Sequence, residues 1–133
     1  MGYRSDVLLA VAFSNKEHRD EVWAVYCLDP RVQKHNLAEV WRKHDDEKFP
    51  ILFYRGTDVK WYDDYEDVQG VEYMTELVRS FAKERGLHYA SLYLRIGEDT
   101  TDMETHDMHS DMDMADALHD LWHIERRIAG PTE

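Results

Sequence analysis

Residues Lys60–Gly86, KWYDDYEDVQGVEYMTELVRSFAKERG, carry the clearest helical signal in the chain. Val68, Val71, Met74, Leu77, Val78 and Phe81 recur at three- and four-residue spacing and form one apolar stripe. Asp64 stands where an N-cap belongs. Glu66 and Asp67 place negative charge in the first turn, and Lys83 and Arg85 place positive charge in the last, as the helix dipole favours. Gly86 suits a left-handed stop. Gly70 lies inside the helix, where glycine costs about 1 kcal/mol relative to alanine. A helix with one apolar stripe needs a sheet or a second helix to cover it, and the flanking sequence is read for that cover.

Upstream, Ser5–Phe13 (SDVLLAVAF) is a continuous apolar run, as expected of a central strand buried on both faces or nearly so. Ser14–Glu17 matches a capping box, with Ser14 as the cap. The helix it opens carries Val22, Trp23, Val25 and Tyr26 on one side and ends before Pro30. Residues 31–36 read as a loop, Leu37–His44 as a second strand or a helical extension, and residues 45–48 as a turn. Phe49–Arg55 (FPILFYR) is a strand, punctuated by Gly56-Thr57-Asp58. Downstream, Leu87–Ile96 alternates cleanly. Ala90, Leu92, Leu94 and Ile96 share the face assigned to the core, and Tyr89, Ser91, Tyr93 and Arg95 the other.

The order strand, helix, strand, strand, helix, strand predicts an α+β fold. Its simplest form is a ferredoxin-like βαββαβ arrangement, an antiparallel sheet with both helices on one face. Residues 1–97 are expected to form this core, and 98–133 an acidic extension returning to it within a single domain. Between Glu98 and Asp120 there are nine acidic residues, four Met and three His, and no Lys or Arg. Self-repulsion is expected to hold much of that segment open unless a partner or metal neutralises it. Residues 118–128 (LHDLWHIERRI) fit a returning fifth strand or a helix, with the strand preferred. A further alternative is that the C-terminal segment covers the face of Tyr89, Tyr93 and Arg95 and makes it a second small core.

Composition narrows the function. The chain has 133 residues, enough for one domain with a genuine core. Its 28 acidic and 16 basic residues give a net charge of -12. That charge opposes direct contact with nucleic acid or an anionic membrane, and favours a protein partner with a basic surface. A single cysteine, Cys27, forms no internal disulfide and suits a reducing compartment; it reads as a small core residue. No apolar run approaches the roughly 20 residues that span a bilayer, and the opening residues read as structure, not as a signal peptide.

No constellation for catalysis stands out. Phosphate-binding glycine loops, nucleophile elbows and paired cysteines are missing from the sequence, and the Asp63-Asp64 pair is explained by helix capping. His106 and His109 among Asp102, Asp107, Asp111 and Asp113 suggest a divalent cation, but the spacing is not that of a calcium loop. His119 and His123 are four apart without the glutamate of zinc proteases. No metal or cofactor is therefore assigned, and an enzyme is not expected. Tyr89, Tyr93 and Arg95 on one face of a four-stranded sheet invite comparison with RNA-recognition modules, which the charge opposes. A protein interface uses such residues better.

The opening MGYRSDV, the block Val59-Lys60-Trp61-Tyr62-Asp63 with Tyr65 and Asp67-Val68-Gln69, and Arg95-Ile96-Gly97-Glu98-Asp99 resemble a family of small tailed-bacteriophage proteins. The resemblance covers roughly residues 1–100. It brings no activity with it, but implies a phage product acting in the host bacterial cytoplasm, where small acidic phage proteins often inhibit host defence or nucleic-acid-processing factors. The leading expectation is thus a non-enzymatic binder of a basic host protein, with mimicry of a phosphate backbone as one mode of binding. Its contacts would be Trp61, Tyr62, Tyr65, Tyr89, Tyr93, Glu98, Asp99, Asp102, Glu104, Asp107, Asp111 and Asp113. The rival expectations are a homodimer with an assembly role and a metal-dependent enzyme using the His and Asp residues between Asp102 and His123.

Overall fold

A computed structural model describes residues 3–44, 48–99 and 101–129, with side chains as far as 121. Among the described residues the chain is α+β, with five antiparallel strands and four helices. The strands are β1 (Ser5–Phe13), β2 (Trp41–Lys43), β3 (Ile51–Val59), β4 (Tyr89–Gly97) and β5 (Met103–His109), and they lie in the order β2-β3-β1-β4-β5. The helices are α1 (Lys16–Tyr26), α2 (Pro30–Lys34), α3 (Glu66–Arg85) and α4 (Met112–Ala129).

β1 is central, as its unbroken apolar run predicts, and every residue from Val7 to Phe13 is buried. It faces a core on each side. Leu9, Val11 and Phe13 join Val22, Tyr26, Val71, Met74 and Val78 from α1 and α3. Leu8, Ala10 and Ala12 join Met114, Ala117, Leu118 and Leu121 from α4. The helices therefore cover both faces, not one. The sequence expectation for the C-terminal segment is corrected accordingly: 112–129 is a helix, not a returning strand, and the acidic stretch before it pairs with β4 as β5. The faces of β4 exchange roles too. Ala90, Leu92 and Leu94 lie against α4, while Tyr89 and Tyr93 pack half-buried against the α1–α3 core.

α3 follows its predicted stripe, with Val68, Val71, Met74, Leu77 and Val78 buried. Gly86 closes it in the left-handed conformation (φ 65), and the backbone N–H of Leu87 donates to Ala82 O at 2.9 Å. The N-cap is Tyr65, without a side-chain cap, and not Asp64. Likewise α1 is capped by Asn15, whose Oδ1 accepts from the backbone N–H of His18 at 2.8 Å. Ser14 instead joins the strand end, its hydroxyl donating to His88 O at 2.8 Å. Val25, expected on the apolar side of α1, is exposed. Residues expected to form a loop after Pro30 make α2, capped by Asp29 with proline in its first turn. Leu37–His44, expected as a second strand or a helical extension, divides into a 3-10 turn (Leu37–Glu39) and the short β2. β3 continues through Gly56-Thr57-Asp58 to Val59, with an irregular register against Ser5–Val7 and Asp58 at φ 56. The turn expected at 45–48 falls mostly outside the described residues.

Tyr26 ties the first core together. It is fully buried, its hydroxyl donates to Gly70 O at 2.9 Å, and it accepts from Trp41 Nε1 at 2.9 Å. Gly70 is the point of close approach. A Cβ there would meet Leu37 Cδ1, and Leu37 is itself buried. Helix propensity alone says that Gly70→Ala gains about 1 kcal/mol. Overpacking a filled core costs about 1–3 kcal/mol. The second effect wins: urea unfolding of Gly70→Ala should show stability lowered by about 1 kcal/mol, and a gain would mean that Leu37 moves aside freely.

Candidate acidic groove

Between α3 and the β4–β5 edge, on the side of the sheet that carries α1–α3, lies an open groove of about 450 Å³. Asp63, Glu72, Glu76 and Glu104 line it, with Arg79 opposing them. Helical spacing places Glu72 and Glu76 one turn apart on α3, on the flank of its buried stripe. Tyr93 and His106 are directly paired across β4 and β5, and their rings stack at 5.6 Å with an interplanar angle of 25°.

The electrostatics follow from this crowding. Glu72 is half-buried, and burial raises its pKa above 4.5; the charges of Asp63 and Glu104 add to the rise, against His106. Burial, with the charge of Glu104, pushes Tyr93 up to about 12, so it stays a neutral phenol. The charged form of Glu72 is thus disfavoured where it stands and would be stabilised by a cation. A carboxyl with a raised folded-state pKa favours folding below the unfolded value of 4.5, and that advantage is lost as pH rises through the folded value. Glu72→Gln should therefore raise the melting temperature at neutral pH and leave it unchanged below pH 4.5. Equal melting temperatures at both would show that Glu72 is not strained.

The residues expected from the sequence to bind a partner are dispersed. Tyr93 and Glu104 line the groove. Trp61 stacks on Tyr54 at 5.7 Å as part of the first core. Tyr62 and Tyr65 meet edge to face at 5.1 Å, and the Tyr62 hydroxyl accepts from the backbone N–H of Tyr3 at 2.5 Å. Tyr89 packs against the first core. Glu98 accepts from the backbone N–H of Arg4 at 2.5 Å. The Asp99 backbone N–H donates to the Tyr3 hydroxyl at 3.1 Å, and that hydroxyl donates to Asp102 Oδ2 at 2.7 Å.

Arg95 organises this end. Its Nη2 lies 2.8 Å from Asp102 Oδ1, and its Nε lies 2.5 Å from Glu104 Oε1. The guanidinium and the Tyr3 hydroxyl hold the Asp102 carboxyl below its ordinary pKa. Asp107 lies on the opposite side of β5, bridging His109 Nδ1 at 3.2 Å and His119 Nε2 at 2.8 Å. Asp111 accepts from the backbone N–H of Met114 at 3.1 Å at the start of α4, and Asp113 stands in its first turn. Much of the acidic segment is therefore engaged in its own ion pairs and helix start.

Among the described residues, no three His, Cys, Asp or Glu side chains form a group that could hold a metal ion. No helix among them is long and apolar enough to cross a membrane. Sequence reasoning missed Glu72, Glu76 and His106 as groove residues. The available signal was the Glu72–Glu76 spacing on the flank of α3. Comparison with family models, with curated proteins and with solved structures gives no match to this chain.

Proposed function

We propose that this chain is a non-enzymatic binding protein that receives a cationic segment of a protein partner in the groove between α3 and β5. The observation that carries this reading is the convergence of four carboxylates, one of them half-buried with a raised pKa, on a concave surface with a stacked Tyr93–His106 pair. A half-buried carboxyl with a raised pKa in a cleft marks a candidate binding group, and a cation placed there would stabilise its charged form. The net charge of -12 supports the same reading, because it attracts basic surfaces at long range. The resemblance to phage proteins makes a bacterial host factor the natural partner, with the host cytoplasm as the place of action. We further read residues 1–97 as a ferredoxin-like core to which β5 and α4 are appended. The interleaving of the first four strands, with β1 between β3 and β4, supports this.

A salt titration tests the binding mode. A lysine-rich peptide added to the protein should lose more than tenfold in affinity as ionic strength rises from roughly 0.01 M to 1 M, over which the screening length shrinks from about 30 to 3 Å. Affinity that holds across this range would remove the groove as the recognition element.

A further inference from the structure

β5 is an edge strand, and its seven residues are all exposed. Its ladder with β4 fixes which backbone groups remain available. The backbone N–H of Gly97 donates to Asp102 O at 2.8 Å, and that of Ser110 donates to Tyr89 O at 3.0 Å. These are hydrogen-bonded pairs of the antiparallel register that also places Arg95 opposite Glu104 and Tyr93 opposite His106. Hydrogen-bonded and non-hydrogen-bonded pairs alternate along such a ladder. The even-numbered residues of β5 are therefore bonded to β4. The N–H and C=O groups of Met103, Thr105, Asp107 and His109 point outward from the sheet.

We infer that this edge accepts an extended, cationic segment of the partner as a sixth strand. The inference rests on the groove reading above and specifies how the partner is held. Charge selects the occupant. Asp63, Glu72 and Glu76 line the groove on one face of β5 together with Glu104, which is paired with Arg95, and Asp107, held between His109 and His119, lies on the other face. A second copy of the chain would bring its own Asp63, Glu72 and Glu76 towards the edge, together with a net charge of -12. A lysine-bearing strand meets the opposite situation. Main-chain bonds to the outward groups supply register, and alternate side chains project over the groove beside Glu104 and His106.

The test uses the full chain labelled with ¹⁵N, at low salt, and an end-blocked heptapeptide alternating lysine with threonine or valine. A second peptide carries the same side chains but is N-methylated at alternate backbone nitrogens, which keeps the charge and blocks strand pairing. Strand addition slows amide exchange at Met103, Thr105, Asp107 and His109 at least tenfold, and the methylated peptide binds at least tenfold more weakly. Thr105→Pro, which removes an outward N–H and no bond to β4, weakens the parent peptide similarly. If both peptides bind equally and the four amides exchange as before, strand addition is wrong while the groove reading survives. If neither peptide binds, both fall. Protection of the same four amides on raising the concentration of the chain alone would make a second copy the occupant and overturn the inference.

Discussion

Leu118→Ala should destabilise the protein by about 2–5 kcal/mol, the range found when a buried leucine is truncated in a core that cannot collapse around the gap. Leu118 is 1% exposed and packs in the cluster with Leu8, Ala10, Ala12, Ile51, Phe53, Leu92 and Leu94. Those sheet residues are buried because α4 lies on them. Urea denaturation followed by tryptophan fluorescence and by far-ultraviolet circular dichroism should show one shifted transition by both probes. Two separate transitions, with the first core unaffected, would mean that α4 is an appendage and the two faces fold independently. The size of the effect matters because this segment also carries much of the acidic surface. If the second core is integral, the charges on β5 are held at fixed positions relative to α3, and the groove keeps its shape.

That outcome was only partly legible from the sequence. Ser5–Phe13 announced a strand buried on both faces, and such a strand requires cover on both. The alternation of Leu87–Ile96 was equally plain, but period two cannot say which of two covered faces is which, and the Tyr-bearing face proved to be the one against α1 and α3. The acidic segment misled for a physical reason. Nine carboxylates with no Lys or Arg read as self-repelling, yet Arg95 pairs with two of them, Asp102 and Glu104, and Asp111 supports a helix start. β5 has no buried residue and hence no hydrophobic pattern to detect; the exposed backbone of β4 recruits it. The helix of residues 112–129 was hidden because 118–128 alternates almost as well as it repeats. Met114, Ala115, Ala117, Leu118 and Leu121, read from a few residues earlier, mark the buried side. The groove was harder still, since Glu72 and Glu76 acquire their meaning only when Tyr93, Glu104 and His106 arrive from strands late in the chain.

Reversing the charge at both helix positions should have the largest effect on binding. Glu72→Lys with Glu76→Lys converts the α3 wall of the groove from two negative charges to two positive ones. A unit charge roughly 4–8 Å from a bound ammonium contributes about 2–4 kcal/mol at an effective dielectric near 20, before screening by salt. Glu76 is exposed and will be screened most, so about 1.4 kcal/mol per site is a conservative allowance. The double variant should then lose at least about a hundredfold in affinity for the lysine-rich peptide at low ionic strength. Net charge alone changes from -12 in the same direction, so the comparison must hold it fixed. Glu39→Lys with Glu84→Lys alters two exposed residues that do not line the groove and gives the same net charge. Long-range attraction predicts equal losses in the two double variants, whereas recognition in the groove confines the large loss to the first. Burial disfavours a charged lysine at position 72 as it does the carboxylate, so melting curves of both double variants are needed beside the titrations to separate a loss of binding from a loss of folding. Equal losses in both variants would reduce the acidic surface to a general attraction and leave the groove without a role.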